Sequence, residues 1–415
     1  MKKSLFAIAA VTAFAGAAQA QSSVTVYGII DMGIAGGNSR TAGATAGTVT
    51  KATGLGVQQS GQATSRLGFR GNEDLGGGMS AFFTFETTLT PNNQTVTNTD
   101  GSLLGMTANR QAFVGLAQKG IGRFALGTQQ TIIHNVVGRT TAGQQNNMVG
   151  DVIYSIGGAT SGSMGALGSA YGMSNGVSYA VRVNNALTFG TENISGFQAN
   201  AMVVASGNDT NQTSATAGGQ VTNSGYGLGL NYTFEKLFLT ANYQSFTNNT
   251  SAATTGTLNG TAPSGFQIFS TGQAARNGIN VVDNTMYVAG SYDFGILQAF
   301  AGYINRKAAA ESNSQYFQRY TAQQIGVRSN LTPKINVFAS VGNGSWEAPG
   351  WDNPSATING YQLGSNYILS KRTNLYAIWG NASQSNAANV GTNPATATTS
   401  SYNINTYAVG VRHTF

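Results

Sequence analysis

Tyr226-Gly227-Leu228-Gly229-Leu230-Asn231-Tyr232-Thr233-Phe234 alternates large apolar side chains with small or polar ones. A strand repeats every two residues, so Tyr226, Leu228, Leu230, Tyr232 and Phe234 share one face, opposite Gly227, Gly229, Asn231 and Thr233. After Glu235 and Lys236 the alternation resumes: Leu237, Leu239, Ala241 and Tyr243 oppose Phe238, Thr240, Asn242 and Gln244. Two residues between the runs make a tight hairpin. Near the C-terminus, Tyr407, Val409, Val411, His413 and Phe415 alternate with Ala408, Gly410, Arg412 and Thr414. An apolar face backed by a face carrying an arginine suits a sheet with lipid on one side and a wet lumen on the other.

Sixteen such segments are expected, near residues 23–36, 63–71, 79–90, 108–118, 123–130, 183–192, 197–205, 225–234, 237–247, 285–292, 296–306, 320–329, 335–343, 359–369, 374–382 and 404–415. Their connections alternate in length. Short turns (Asn72 to Gly78, Gln118 to Gly122, Asn193 to Gly196, Asp293 to Gly295, Ser370 to Thr373) alternate with long loops rich in Asn, Thr, Ser and Gly. Backbone groups in hydrocarbon must all be paired, so a membrane sheet has to close on itself. At sixteen strands the lumen is too wide for side chains to fill. The expected fold is all-β: one transmembrane antiparallel barrel over residues 21–415.

Composition agrees. Only 8% of residues are charged and Pro numbers 6 against 56 Gly, which sets the chain apart from ordinary soluble domains. The 41% hydrophobic content, with 17 Tyr and 20 Phe, argues against disorder. Lys2 and Lys3, the apolar run Leu5 to Ala17, and Ala18-Gln19-Ala20 read as an export leader over residues 1–20, with the mature chain starting at Gln21. Losing Lys2 and Lys3 lowers the formal charge from +7 to +5. The remaining cations are scattered, which gives no support to nucleic-acid binding. Cys is absent, so disulfides contribute nothing to stability.

Several stretches resemble the general porins of β-proteobacteria. They include Ser23 to Asp31, Ser65-Arg66-Leu67-Gly68-Phe69-Arg70-Gly71 running on to Gly78, Asn109 to Leu116, Ser291 to Gly295, Leu369 to Tyr376 and Ala408 to Phe415. The resemblance implies a homotrimer of water-filled barrels in the outer membrane, in contact with lipid and lipopolysaccharide, passing ions and small hydrophilic solutes. It also implies a third external loop folded inward as a constriction, here about 131–181. That loop carries only Asp151 and Arg139 as formal charges, with His134 nearby, so the acidic cluster common in relatives is missing.

Arg66, opposite Leu67 and Phe69, is expected to face the lumen, since an arginine facing lipid at mid-membrane costs roughly 2–4 kcal/mol. Arg110 is carried over from the resemblance as a constriction arginine. Its strand has ambiguous parity, because either Ala112-Val114-Leu116 or Phe113 could face lipid. Arg70 and Arg182 join them as lumen candidates. Arg139 and Asp151 belong either to the eyelet or to local hydrogen bonds within the loop. Arg70, Arg123, Arg328 and Arg412, near short turns, are expected to tune the periplasmic mouth or to pair with acids such as Glu73 and Asp74. Tyr232, Phe234, Tyr292, Phe294, Tyr367 and Trp379 fit an interfacial aromatic belt.

Glycine at 225, 227 and 229 lies inside an alternating strand and reads as lumen lining rather than a phosphate loop. With no Cys and only His134 and His413, a nucleophilic catalytic set is poorly supported, and no cluster has metal-ligand spacing. No cofactor is expected. The first functional expectation is a general diffusion channel weakly favouring anions. A substrate-specific channel using Gln144-Gln145-Asn146-Asn147 and a surface adhesin on a barrel remain alternatives.

Overall fold

Alternation along the chain becomes a ring. The computed structural model describes residues 23–42, 49–91, 109–154, 179–214, 217–250, 281–310, 317–347, 355–385 and 401–415. The expected leader, residues 155–178 of the expected constriction loop and residues 251–280 of another long loop lie outside them. The strands are β1 (Ser23–Ala42), β2 (Val49–Gln59), β3 (Arg66–Gly76), β4 (Met79–Thr88), β5 (Asn109–Gln118), β6 (Gly122–Gln130), β7 (Arg182–Thr191), β8 (Phe197–Ser214) and β9 (Ala217–Phe234). They continue as β10 (Leu237–Thr250), β11 (Val281–Asp293), β12 (Gln298–Ala310), β13 (Phe317–Thr332), β14 (Ile335–Glu347), β15 (Ser355–Ile368), β16 (Thr373–Gln384) and β17 (Tyr402–Thr414). One helix, α1 (Ile132–Thr140), follows β6.

Every neighbouring pair is antiparallel, and β1 closes the sheet on β17 from Ile29↔Thr414 to Thr41↔Tyr402. On its other edge β1 changes partner. Its external half pairs with β2, from Met32↔Gln59 to Ala42↔Val49, and its periplasmic half pairs with β3, from Ser23↔Asn72 to Ile29↔Arg66. β2 and β3 therefore stand end to end in one position, and seventeen strand segments make a closed sixteen-strand barrel.

Several strands run further than the sequence expectation, β1 to Ala42 and β8 to Ser214 among them, and two differences change the reading of a connection. Val49–Gln59 was expected to be loop, because its outward positions mix Lys51 and Thr53 with Leu55 and Val57 and so blur the apolar period. The Asn72 to Gly78 turn shrinks to Gly77-Gly78, both in the left-handed region (φ 62° and 80°), because β3 runs on to Gly76. Glycine adopts that conformation without a Cβ penalty.

The outward face is apolar: Leu228 is 56% exposed and Val409 60%, while the inward Phe238 and Ala408 are buried. The expected belt residues face outward at two levels. Tyr232, Phe234, Tyr292 and Phe294 gather at the short-turn end, with ring centroids 6.5 Å apart in the first pair and 4.7 Å in the second. Trp379 lies toward the other end, opposite Tyr407 on β17.

Candidate functional site

The lumen holds a packed inward segment. Thr131 caps α1, its hydroxyl accepting from His134 N at 3.3 Å, and Arg139 sits in the last turn, where a cation complements the helix dipole. The buried face of α1, with Ile132, Ile133, Val136 and Val137, lies against the inward faces of β8 to β12. The strand glycines explain how it fits: a Cβ at Gly229 would strike Ile132, and one at Gly227 would crowd it. The glycines of the alternating stretch therefore make room for a helix.

From the end of α1 onward the chain is held largely by neutral hydrogen bonds to β11, β13 and β15. Thr140 and Tyr287 hydroxyls meet at 2.6 Å, Tyr320 Oη donates to Val152 O at 2.6 Å, and Val152 N donates to Gln324 Oε1 at 2.8 Å. Gln362 Nε2 donates to Met148 O and Val149 O at 2.9 and 3.0 Å, and Asn146 Nδ2 donates to Gln362 Oε1 at 2.9 Å. Backbone contact is tight enough that a Cβ at Gly380 would collide with the Val149 carbonyl, and one at Gly360 with the Gly150 carbonyl.

A second inward feature meets this segment. Between β2 and β3, Ser60 to Ser65 leave the sheet, with Ser60 at φ 64°. The buried Asp31 carboxylate accepts from Gln62 N (2.8 Å), Ala63 N (2.6 Å) and Tyr376 Oη (2.6 Å), fixing the turn to β1 and β16. Asn147 Nδ2 then donates to Ser60 O at 2.7 Å, and Asn147 N to Gly61 O at 3.1 Å. Nothing in the alternation reveals this clasp; Asp31, the one charge in the expected strand 23–36, was its available signal.

Charge gathers elsewhere, on the β3 to β7 wall. Glu86 Oε1 accepts from Arg110 Nε at 2.5 Å and lies 3.8 Å from Arg66 Nη1, while Tyr27 Oη donates to Glu86 Oε2 at 3.2 Å. Arg182 also acts on Glu86, and its own Nε meets no acceptor among the described residues. Arg66 faces inward as expected. For Arg110 the parity is resolved by a bulge. Val114 and Leu116 face lipid at 58% and 37% exposure, and Phe113 packs inward edge-on to Phe82. An even-numbered residue would then face lipid, but the register passes from Glu86↔Gln111 to Thr87↔Asn109, skipping Arg110. The extra residue turns its side chain into the lumen, where it is buried against Glu86.

The other expected residues disperse. Arg139 is exposed at the end of α1, its guanidinium 3.7 Å from the Phe238 ring centre; partial burial lowers its pKa. Asp151 is buried and bonds within its own turn, accepting from Ile153 N and Tyr154 N at 2.9 Å; desolvation raises its pKa. Arg70 stacks 5.4 Å from the Tyr27 ring and Arg123 4.8 Å from Phe82. Arg328 donates to the Ala142 carbonyl, so it braces the inward segment. Glu73 and Asp74 are exposed, and Asp74 caps Gly76 N at 2.9 Å, as solvated turn residues do. His134 Nδ1 lies 3.1 Å from Tyr179 Oη; burial first, then Arg182, Arg110 and Arg66, holds it well below the usual histidine range. Sequence reading also missed Glu86 and the buried pair Arg306–Asp283, in which Nε donates to both carboxylate oxygens at 3.0 Å.

A barrel with an inward segment and a charged wall has the architecture of a diffusion channel, and comparison with known proteins agrees. A family model described as Gram-negative porin matches residues 7–387. An outer membrane porin protein of Bordetella pertussis is 29% identical over 417 residues, covering 91% of this chain and 93% of the relative. The solved anion-selective porin from Comamonas acidovorans superposes with a TM-score of 0.64 at 19% identity, over 95% of this chain and 100% of that one. OmpT of Vibrio cholerae in its trimer form superposes at 0.56 with 14% identity, over 95% and 99%. The chain belongs to the Gram-negative porin family, and it forms an outer-membrane channel for passive diffusion of ions and small hydrophilic solutes.

Proposed function

We propose that this channel weakly favours anions and that Arg66, Arg110 and Arg182 set the bias. One observation carries the reading: Arg110 and Arg66 lie 2.5 and 3.8 Å from one carboxylate, Glu86, while Arg182 of the same wall has no acceptor for its Nε among the described residues. The uncompensated positive charge lowers the energy of an anion crossing the wall, and salt limits the effect to a bias because the Debye length is about 8 Å at physiological ionic strength. Arg139 and Arg70 add further guanidiniums at the lumen surface. Asp151, turned into its own hydrogen bonds, supplies little opposing field.

The chain acts as a homotrimer in this proposal, as the likeness to a porin solved in trimer form supports, in contact with lipopolysaccharide, and residues 1–20 are removed on export. Catalysis has no part in it: His134 packs against the rings of Tyr154 and Tyr179, which also meet each other. A sugar-binding channel is less favoured, because Gln145, Asn146 and Asn147 spend their amides on His134 O, Gln362 and Ser60 O. The test is the reversal potential of the reconstituted protein under a KCl gradient. Chloride preference, with channels closing in groups of three, is expected; Arg66→Glu shifts the potential toward cations. An unchanged potential in that variant rejects the role of Arg66.

A further inference from the structure

The inner wall of a water-filled barrel is normally polar. Toward the short-turn end of this one, inward positions carry aromatic rings instead: Tyr27 on β1, Phe82 on β4, Phe113 on β5, Phe238 on β10 and Phe338 on β14. Three of them lie against the sheet. A Cβ at Gly68 would strike the Tyr27 ring, one at Gly115 the Phe82 ring and one at Gly364 the Phe338 ring, so each ring covers the glycine paired with it on the next strand.

Four of the rings carry a guanidinium. Arg139 lies 3.7 Å from the centre of the Phe238 ring, Arg123 4.8 Å from Phe82, Arg70 5.4 Å from Tyr27 and Arg328 5.8 Å from Phe338. Arg70, Arg123 and Arg139 are exposed. The ion pairs among the described residues join Arg66 and Arg110 to Glu86, Arg306 to Asp283 and Arg319 to Glu347, and involve none of the four. Arg412, also at this end, differs, because its charge is met by that of Asp31. The set is separate from the Glu86 wall: Arg70 is four residues of β3 below Arg66, about 13 Å along the strand and about 10 Å along the membrane normal at a tilt near 40°.

A ring orients a cation without cancelling its charge, as a carboxylate would. A guanidinium is planar and weakly hydrated, and it can both stack on a π face and hold a carboxylate along its N–H edge. With one face on a wall ring, its second face and that edge are left for a flat anion. We propose that Arg70, Arg123, Arg139 and Arg328, each backed by an aromatic ring, form a recognition belt at the periplasmic mouth for planar aromatic carboxylates, which pass in preference to other organic anions of the same charge and similar size. The ring of the solute stacks on the free guanidinium face and its carboxylate meets the N–H edge. The proposal rests on the anion-favouring reading of the channel, whose failure would show separately as cation preference in KCl.

The test compares benzoate with cyclohexanecarboxylate, two monoanions of nearly equal size of which only the first is flat and aromatic. Reversal potentials of the reconstituted mature protein are measured at pH 7 with the sodium salt of each acid facing sodium chloride, and each gives a permeability relative to chloride. Benzoate is expected to exceed cyclohexanecarboxylate about two- to fivefold, the size of an exposed guanidinium–ring contact. In R70K/R123K/R139K, which keeps every charge but replaces the planar group with a strongly hydrated ammonium, the ratio should fall toward one. Arg139→Lys alone, at the exposed end of α1, should lower it part of the way and carries the comparison if the triple variant does not assemble. Equal permeability of the two acids in the parent protein overturns the proposal, as does a preference for cyclohexanecarboxylate, the mark of simple apolar attraction. A benzoate preference that persists undiminished in the lysine variants is selection by ring thickness at the narrowing, and it overturns the proposal too.

Discussion

The two walls of the lumen solve different problems. On the β13 to β17 side, Tyr320, Gln324 and Gln362 grip the inward segment with neutral hydrogen bonds, and Gly360 and Gly380 let backbone approach backbone. On the β3 to β7 side, Arg66, Arg110 and Arg182 surround Glu86, and Arg182 Nε meets no acceptor among the described residues. Neutral amides can be buried once their hydrogen bonds are made, whereas an unpaired buried charge is costly. The contrast teaches a division of labour: amides, joined by Arg328 on the Ala142 carbonyl, fix the segment, and the charge of the β3 to β7 wall is kept for the solute.

Four changes probe that division, in falling order of effect. Gly380→Val drives a side chain into the Val149 carbonyl and forces the segment off the wall. Overpacking of this kind costs about 1–3 kcal/mol or more, and single-channel conductance should rise and become noisy. Conductance equal to wild type would mean that the segment does not narrow the pore. Gln362→Leu removes the bonds to Asn146, Met148 O and Val149 O at roughly 1 kcal/mol each. It should lower the heat stability of the folded barrel while leaving the reversal potential alone, and a shift in selectivity would show the two walls to be coupled.

Glu86→Gln tests the other wall. It keeps a hydrogen-bond acceptor for Arg110 but removes the one carboxylate that lies among the three arginines in the described residues, so chloride preference should increase in a salt gradient, with a modest loss of stability. The smallest effect concerns pH. Burial depresses the His134 pKa, so its contribution is full above the unfolded value near 6.5 and falls away as pH drops below it, because the unfolded chain takes up a proton that the native site refuses. Asp151 runs oppositely: its raised pKa favours the folded state in acid and that contribution is lost as pH rises. Melting temperatures at pH 7 and 5 should therefore fall less in His134→Gln than in the parent protein.

Much of the barrel could be read from alternation, because lipid on one side and water on the other impose a period of two on every strand within the membrane. The Tyr226 to Phe234 and Tyr407 to Phe415 faces lie as their patterns require. Legibility fails where that constraint lapses. Only the outer half of Val49–Gln59 lies above the level of Leu55 and the belt residue Trp379, so Lys51 and Thr53 carry no penalty outward and the strand reads as loop. Arg110 obeys a register shift that no single strand can display, since a bulge is a relation between two strands. The Asp31 clasp and the Glu86 cluster join residues far apart in sequence, and a local pattern says nothing of such contacts. The lumen glycines were legible as lining, but what they accommodate, Ile132 of α1, was not.

Closure of β1 on β17 has a consequence for the order of events during assembly. The other pairings join segments that follow each other along the chain or flank the β2–β3 break, so each can form as its hairpin comes together. The seam joins Ile29 to Thr414, and Gly28 exchanges hydrogen bonds with Phe415 at 3.0 and 3.1 Å. Until β17 is available, the growing sheet carries two open edges whose unpaired backbone groups would accept any extended chain nearby. The unfinished ring is therefore the protein's most vulnerable state, and its safe lifetime is set by how well those edges are shielded before they find each other.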